Sequence, residues 1–330
     1  MIILPYRKPC INAQINKEGD INQTKLILNN LLKYEKEINI VPSGNAAIYL
    51  SLRIIYDLFS NCSIMVPDEG GWGGFIKYAK MYNFNTIKLK TNNGIINLEE
   101  LNNLIKSNNN DNNDNNDNIK VLFLTTLAGY LAKHENINEI KKICNENNIL
   151  FVEDVSGGVG GICGYGDIVV CSTGTPKIIN CEYGGFIGIS KEIKNKLIEN
   201  KKLDNFNNLL KTYKTPNIYG AIKEEGLLAK KTYNTYVNYS NILKEELKCE
   251  YNDYEGISVF IPIKNGNINE IFREINNNIK LDSGKSLITK CPIYERTFKK
   301  GFVVELKKIN IANTCENDIY NIANILKNII

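Results

Sequence analysis

The stretch from Ile149 to Ser190, ILFVEDVSGGVGGICGYGDIVVCSTGTPKIINCEYGGFIGIS, leaves the chain few ways to fold. An apolar run ends in the acid Asp154, and a glycine-rich turn follows. A second apolar run spans Asp167 to Cys171, a Ser/Thr/Gly turn presents Lys177, and Gly184-Gly185 opens a third run. Short apolar runs bounded by turn residues are the pattern of strands buried on both faces. Such strands bring a carboxylate and an amine to neighbouring strand ends, the edge at which open α/β sheets bind ligands.

A carboxylate beside an amine is the pair that pyridoxal phosphate chemistry needs. Lys177 would form the Schiff base with the cofactor, and Asp154 would pair with the pyridine nitrogen and keep it protonated. Taken singly, Asp154 reads as a turn or cap carboxylate and Lys177 as a surface lysine. Neither reading explains why both end apolar runs, with Ser172 and Gly184-Gly185 in register, so the set favours the cofactor.

These residues resemble the pyridoxal-phosphate enzymes of fold type I, and among them the DegT/DnrJ/EryC1/StrS sugar aminotransferases, from about Ile38 to Lys202 and more faintly to the C-terminus. The strand-acid motif is matched by Val152-Glu153-Asp154, and the Ser five residues before the Schiff-base Lys by Ser172 and Lys177. The following G-x-G-G is matched by Glu182-Tyr183-Gly184-Gly185 in all but its first Gly. Gly157 stands where the family has Gln. The resemblance implies a three-layer α/β/α large domain with a mostly parallel sheet over residues 1–215. A linking helix and a small C-terminal α+β domain would fill 216–330. It further implies a homodimer.

At 330 residues the chain can bury such a core. Its net charge of +4, from 40 Lys+Arg against 36 Asp+Glu, is mixed along the chain, which argues against a nucleic-acid partner. Nine cysteines at irregular spacing do not form a disulfide framework and suit a reducing cytoplasm. With no C-x-x-C pair and one His, His134, a metal centre is not expected. No apolar run approaches the length of a membrane span.

Taken in order, the chain first shows a helical stretch near Asn22 to Tyr34, with Leu26, Ile27, Leu31 and Leu32 on one face. Arg7, one of four arginines, reads as a surface charge near the terminus, with a clamp for a substrate carboxylate or phosphate as the alternative. Ile38–Val41 reads as a strand, turned by Ser43-Gly44-Asn45-Ala46 into a helix reaching Phe59. A small-residue turn at a helix start suits a phosphate, and an ordinary turn capped by Ser43 is the alternative. In the resembled family this turn holds the cofactor phosphate, which makes Gly44, Asn45 and Ala46 candidates.

Ser63–Pro67 reads as a strand, and four glycines then surround Trp72, the only Trp of the chain. By resemblance Trp72 stacks on the pyridine ring; otherwise it fills a gap between helix and sheet. A strand at Thr86–Leu89 and a helix capped by Asn97 precede the Asn/Asp-rich run 108–118, expected to be a disordered loop. Val121–Thr125 reads as a strand, with Thr126 and Tyr130 as further site candidates by resemblance. His134, near a helix start, reads as solvated.

After a helix from Lys191 to about Lys201, Tyr213–Asn217 resembles the loop that reaches the partner subunit's cofactor, with Asn217 as the matching residue and Tyr219 in place of a basic one. A helix over Tyr219–Leu247 leads to strands near Ile257–Ile263 and Phe302–Leu306, a helix at Ile268–Ile275 and a closing helix at Glu316–Ile329.

The function implied is a cytoplasmic, homodimeric, pyridoxal-phosphate-dependent aminotransferase. It would use a small-molecule amino donor and a keto acceptor, which by resemblance is a keto-sugar nucleotide. Two other readings stay open. One is another reaction of the same cofactor: a lyase, a desulfurase or a selenocysteine-synthase-like exchange, with Cys249, Cys291 and Cys315 unranked as thiols. The other is a non-catalytic binding protein on the same fold.

Overall fold

Alternation within the apolar runs sets the layers. Ile64, Val66, Val121, Phe123, Leu150, Val152, Ile168 and Val170 pack on one side of the central sheet. Their neighbours Met65, Leu122, Leu124 and Phe151, with Val169 and Cys171, pack on the other. Successive strand residues point to opposite faces, so an unbroken apolar run demands a cover on both sides. Each large side chain fully buried this way contributes about 1.5–3 kcal/mol.

The computed structural model describes residues 1–110, 118–128, 132–213, 215, 217–248, 254–292 and 297–330. The core of the Asn/Asp-rich run, Tyr130, Cys249 and Arg296 lie outside the described residues. The central sheet has seven strands in the order Glu37–Val41, Gly185–Ile189, Ile168–Ser172, Leu150–Asp154, Ile119–Thr125, Ser63–Pro67 and Asn85–Leu89. All run parallel except Gly185–Ile189, which is antiparallel to both neighbours. Helices Gly44–Phe59, Gly74–Met81, Lys191–Glu199 and Leu203–Thr212 cover one face. Leu98–Asn110 and Ile137–Glu146 cover part of the other, and Ile21–Asn30 and the long helix Tyr219–Leu247 cover the rest.

Beyond the long helix, Val259–Pro262, Gly301–Val304 and Ile288–Cys291 form an antiparallel three-stranded sheet. The N-terminal strand Ile2–Leu4 pairs in parallel with Ile279–Leu281, tying the start of the chain to its end. Ile2–Leu4, Ile288–Cys291 and the helix Leu203–Thr212 are too short or too polar to stand out in the sequence.

The helix Ile21–Asn30, which follows a short one at Ile11–Ile15, ends short of the Tyr34 expected. Its buried residues are Thr24 and Leu28; of the face expected, Leu31 and Leu32 pack on the core just beyond its end, while Leu26 is 63% exposed. The start at Ile21 is fixed by Asp20, whose side chain accepts from the N–H groups of Asn22 and Gln23. In the long helix, Leu227 and Leu228 face outward. The buried stripe runs instead through Ala221, Glu225, Ala229, Thr232, Tyr233 and Tyr236.

Candidate active site

Parallel strands place their C-terminal ends on one edge, and the candidate residues gather there. Asp154 ends its strand and is buried, with Val170 of the next strand in register beside it. Its Oδ1 accepts from the N–H of Ser156 at 2.9 Å, and no described residue donates to its Oδ2. The Ser156 hydroxyl accepts from the backbone N–H of Ser172 at 2.7 Å. Asp154, Ser156 and Ser172 thus form one chain of hydrogen bonds across two strand ends.

Lys177 lies half-buried on the turn that follows Ser172. The thiol of Cys171 reports on both charged groups. Burial pushes its pKa up, the Asp154 carboxylate raises it further, and the Lys177 amine lowers it. Asp154, at the end of one strand, and Lys177, on the turn after the adjacent one, therefore both lie near Cys171.

The turn Ser43–Ala46 meets this edge from the other side. Gly44 opens the helix Gly44–Phe59, and the Ser43 hydroxyl accepts from Ala46 N–H at 3.1 Å. A Cβ on Gly44 would stand 2.7 Å from the Ser172 Cβ, so the absence of a side chain lets the helix start close on Ser172. Gly185 is held as tightly, since a Cβ there would stand 2.9 Å from Gly44 N and 2.4 Å from the Cys171 carbonyl. Glu182, in place of the first Gly of the resembled motif, has φ +67°, the left-handed conformation that Gly adopts most freely.

Trp72 is half-buried and donates from Nε1 to the Asn45 Oδ1 at 3.3 Å. The indole is thereby tied to the same helix start. Gly157 is half-buried against Leu127. Asn217 is exposed beside Ile218, whose side chain approaches Gly184.

Two expectations are corrected. Arg7 is 5% exposed, not a surface charge: it donates to Glu225 at 2.7 Å and to the carbonyl of Ile178, next to Lys177, at 3.2 Å. His134 is buried, not solvated; its Nδ1 accepts from Ile96 N–H at 3.4 Å, and burial lowers its pKa to about 4. The Thr126 hydroxyl donates to Glu153 at 2.7 Å, so it serves the turn beneath the site.

The residues that hold the site in place were not evident beforehand. Glu153, wholly buried and held above the ordinary carboxylate range by desolvation, also accepts from the N–H groups of Gly164 and Gly166 at 3.1 and 2.9 Å, pinning the glycine-rich turn. Glu225 accepts from Arg7, Cys10 N–H and Asn180 N–H, at 2.7, 2.6 and 3.0 Å, clamping the Lys177 turn to the long helix. The available signal was the spacing Ala221, Glu225, Ala229, which sets an acid in an otherwise small and apolar stripe.

The thiols separate too. Burial pushes Cys291 up to about 12, and exposed Cys315 caps the last helix, its Sγ 3.5 Å from Asp318 Oδ2. Neither stands on the turn bearing Lys177.

The fold is that of the pyridoxal-phosphate-dependent enzymes of fold type I. Alanine–glyoxylate aminotransferase from Nostoc sp. superposes with a TM-score of 0.70 at 15% identity, over 98% of this chain and 89% of that one. A DegT DnrJ EryC1 StrS aminotransferase from Brucella abortus gives 0.68 at 13% identity, over 96% and 92%. A structure of SPT with PLP gives 0.71 at 10% identity, over 99% and 87%. The MJ1341 family C-terminal domain matches residues 230–327. No curated protein matches by sequence.

The residues present fit the cofactor. Gly44 and Ser172 make a cradle that a Cβ would fill, and Asp154 Oδ2 has no donor among the described residues. Asp154 ends one strand, and Lys177 lies on the turn that follows the adjacent strand.

Proposed function

We propose that the chain is a pyridoxal-phosphate-dependent aminotransferase that transfers an amino group from a small-molecule donor to a keto acceptor. The observation that supports this reading is the placing of Asp154 at the end of one strand and Lys177 on the turn after the adjacent strand Ile168–Ser172, beside the close contact of Gly44 with Ser172.

The cofactor supplies a reactive aldehyde and an electron-withdrawing ring. Lys177 Nζ holds it and then serves as the base that carries the proton of the donor's α-carbon. Asp154 would hold the ring nitrogen and keep it protonated. The Ser172 hydroxyl and the backbone N–H groups at Gly44, Asn45 and Ala46 hold the phosphate, where the helix dipole favours a negative charge. Trp72, fixed by Asn45, sets the plane of the ring. The Arg7–Glu225 pair orients the Lys177 turn without touching the reacting atoms.

The acceptor is a keto-sugar nucleotide by the family resemblance. The enzyme works in the cytoplasm as a homodimer in which Asn217 reaches the partner's cofactor. Residues 1–215 form the cofactor-binding domain and 216–330 the linking helix and small domain. The test is the absorption spectrum with added pyridoxal phosphate, beside Lys177→Ala, followed by titration with glutamate, glutamine, alanine, cysteine and serine. A band at the visible edge that Lys177→Ala abolishes, and that one donor bleaches to the amine form of the cofactor, is expected. No such band in the wild type sinks the assignment; a bleach by cysteine alone moves it to sulfur chemistry.

A further inference from the structure

At the opposite edge of the sheet, where the parallel strands begin, lies a cavity of about 340 Å³. Lys36, Lys141, Lys196, Tyr34, Asp167 and Ser190 are among its lining residues. It shares no residue with the candidate active site.

Lys36 is its unusual member. The residue is 5% exposed, and its stem packs under Gly188, where a Cβ would stand 2.9 Å from the Lys36 Cβ. Its backbone is fixed by Asn29, which accepts from Lys36 N–H at 2.9 Å and donates to its carbonyl at 3.0 Å. The ammonium itself has no hydrogen bond or ion pair among the described residues; the Tyr34 ring lies 5.4 Å away. The other cations are already committed. Lys141 pairs with Asp167 at 2.5 Å and Lys196 with Glu192 at 2.7 Å, while the second oxygen of Asp167 accepts from Phe151 N–H at 2.9 Å. Glu35, the remaining carboxylate on the rim, is exposed.

The helix Lys191–Glu199 opens onto the same cavity through Ser190, Glu192 and Ile193. A helix start carries partial positive charge, and anions settle there. Lys36, 5% exposed and with no hydrogen bond or ion pair from its ammonium among the described residues, lines the same cavity, where a counter-charge would offset its lost hydration. Desolvation lowers Lys36 to about 8, against the pull of Asp167 and Glu153 and with the push of Lys141. The amine is therefore still charged at neutral pH.

We propose that this cavity is a second ligand site, which binds a dianionic phosphoryl group between the Lys36 ammonium and the first turn of the helix Lys191–Glu199. A tetrahedral dianion can take charge-assisted hydrogen bonds from the Lys36 ammonium and from first-turn N–H groups other than that of Ile193, from which the Ser190 hydroxyl already accepts. The rim cations Lys141 and Lys196 are paired with Asp167 and Glu192.

The test uses the full chain, with inorganic phosphate titrated at constant ionic strength and binding followed by calorimetry and by the rise in melting temperature. Lys36→Met, which keeps the buried stem, should weaken binding roughly tenfold to a hundredfold, and Lys196→Gln on the rim should weaken it by a smaller factor. The same titration with glycerol phosphate separates the sources. Tighter binding of inorganic phosphate marks the free ion as the ligand, and tighter binding of the ester marks a phosphorylated metabolite. Phosphate could also settle in the Gly44–Ser172 cradle, but that binding would be equal in wild type and Lys36→Met. Equal binding in the two, or none in the wild type, overturns the proposal.

Discussion

The Arg7 guanidinium lies 2.7 Å from the Glu225 carboxylate, with both side chains buried. The pair joins the N-terminal segment to the long helix and, through the Ile178 carbonyl and Asn180 N–H, to the turn bearing Lys177. Breaking a buried pair leaves an uncompensated charge, at a cost of about 3–5 kcal/mol. Glu225→Gln should lower stability to urea by that order, and the Glu225→Leu/Arg7→Met double variant by less than the sum of its singles. In whatever folded Glu225→Gln remains, the Lys177 turn should be looser, so the cofactor band should form with weaker affinity. Unchanged affinity together with unchanged stability would remove the pair from the account of the site.

Gly44 makes a second prediction. A methyl group there meets the Ser172 Cβ at 2.7 Å and its Cα at 3.1 Å, and neither can swing away, because the Ser172 backbone N–H is bonded to Ser156. Gly44→Ala should cost about 1–3 kcal/mol through overpacking. It should also spoil phosphate binding, seen as a rise in the dissociation constant for pyridoxal phosphate larger than that for pyridoxal. Equal rises for both would place the phosphate elsewhere.

The contrast between these two sites explains what the sequence could disclose. Asp154, Ser172 and Lys177 fall within one stretch of strands and turns, where period and punctuation carry position, so their meeting at one edge is legible. Helices such as Tyr219–Leu247 and Glu316–Ile329 fall on their expected bounds, because long periodic segments signal strongly. Arg7 and Glu225 stand 218 residues apart, and no local pattern predicts such a pair. The reading of His134 fails for a related reason: it is a polar residue buried by neighbours distant in sequence, against the bias that puts such residues outside.

His134 gives an acid-side prediction. Burial lowers its pKa from 6.5 to about 4, so the unfolded chain binds a proton in that range that the folded chain refuses. Stability from this group is whole above pH 6.5 and is lost as pH falls towards 4. The loss amounts to about 3 kcal/mol, at roughly 1.36 kcal/mol per pH unit. Urea unfolding between pH 7 and 4 should show it as a steeper slope than in His134→Gln, which carries no titrating ring. Parallel slopes would mean that the ring is open to water.

Lys36 gives the same sign at the other end of the pH scale. Its pKa falls from 10.5 to about 8 in the fold, so here too the unfolded state holds the proton more tightly, but in an alkaline window. The burden of the buried charge is full below pH 8 and is relieved as pH rises from there towards 10.5, by about 3 kcal/mol in all. Lys36→Met should therefore be more stable than wild type at pH 7 in a phosphate-free buffer, and its advantage should shrink steadily above pH 8. A chain that keeps a destabilising amine in a cavity has a use for it there, so added phosphate should narrow the gap at pH 7 by stabilising the wild type alone. If Lys36→Met is instead less stable at pH 7, the amine has a partner that supports it, and the cavity loses its claim to an incoming anion.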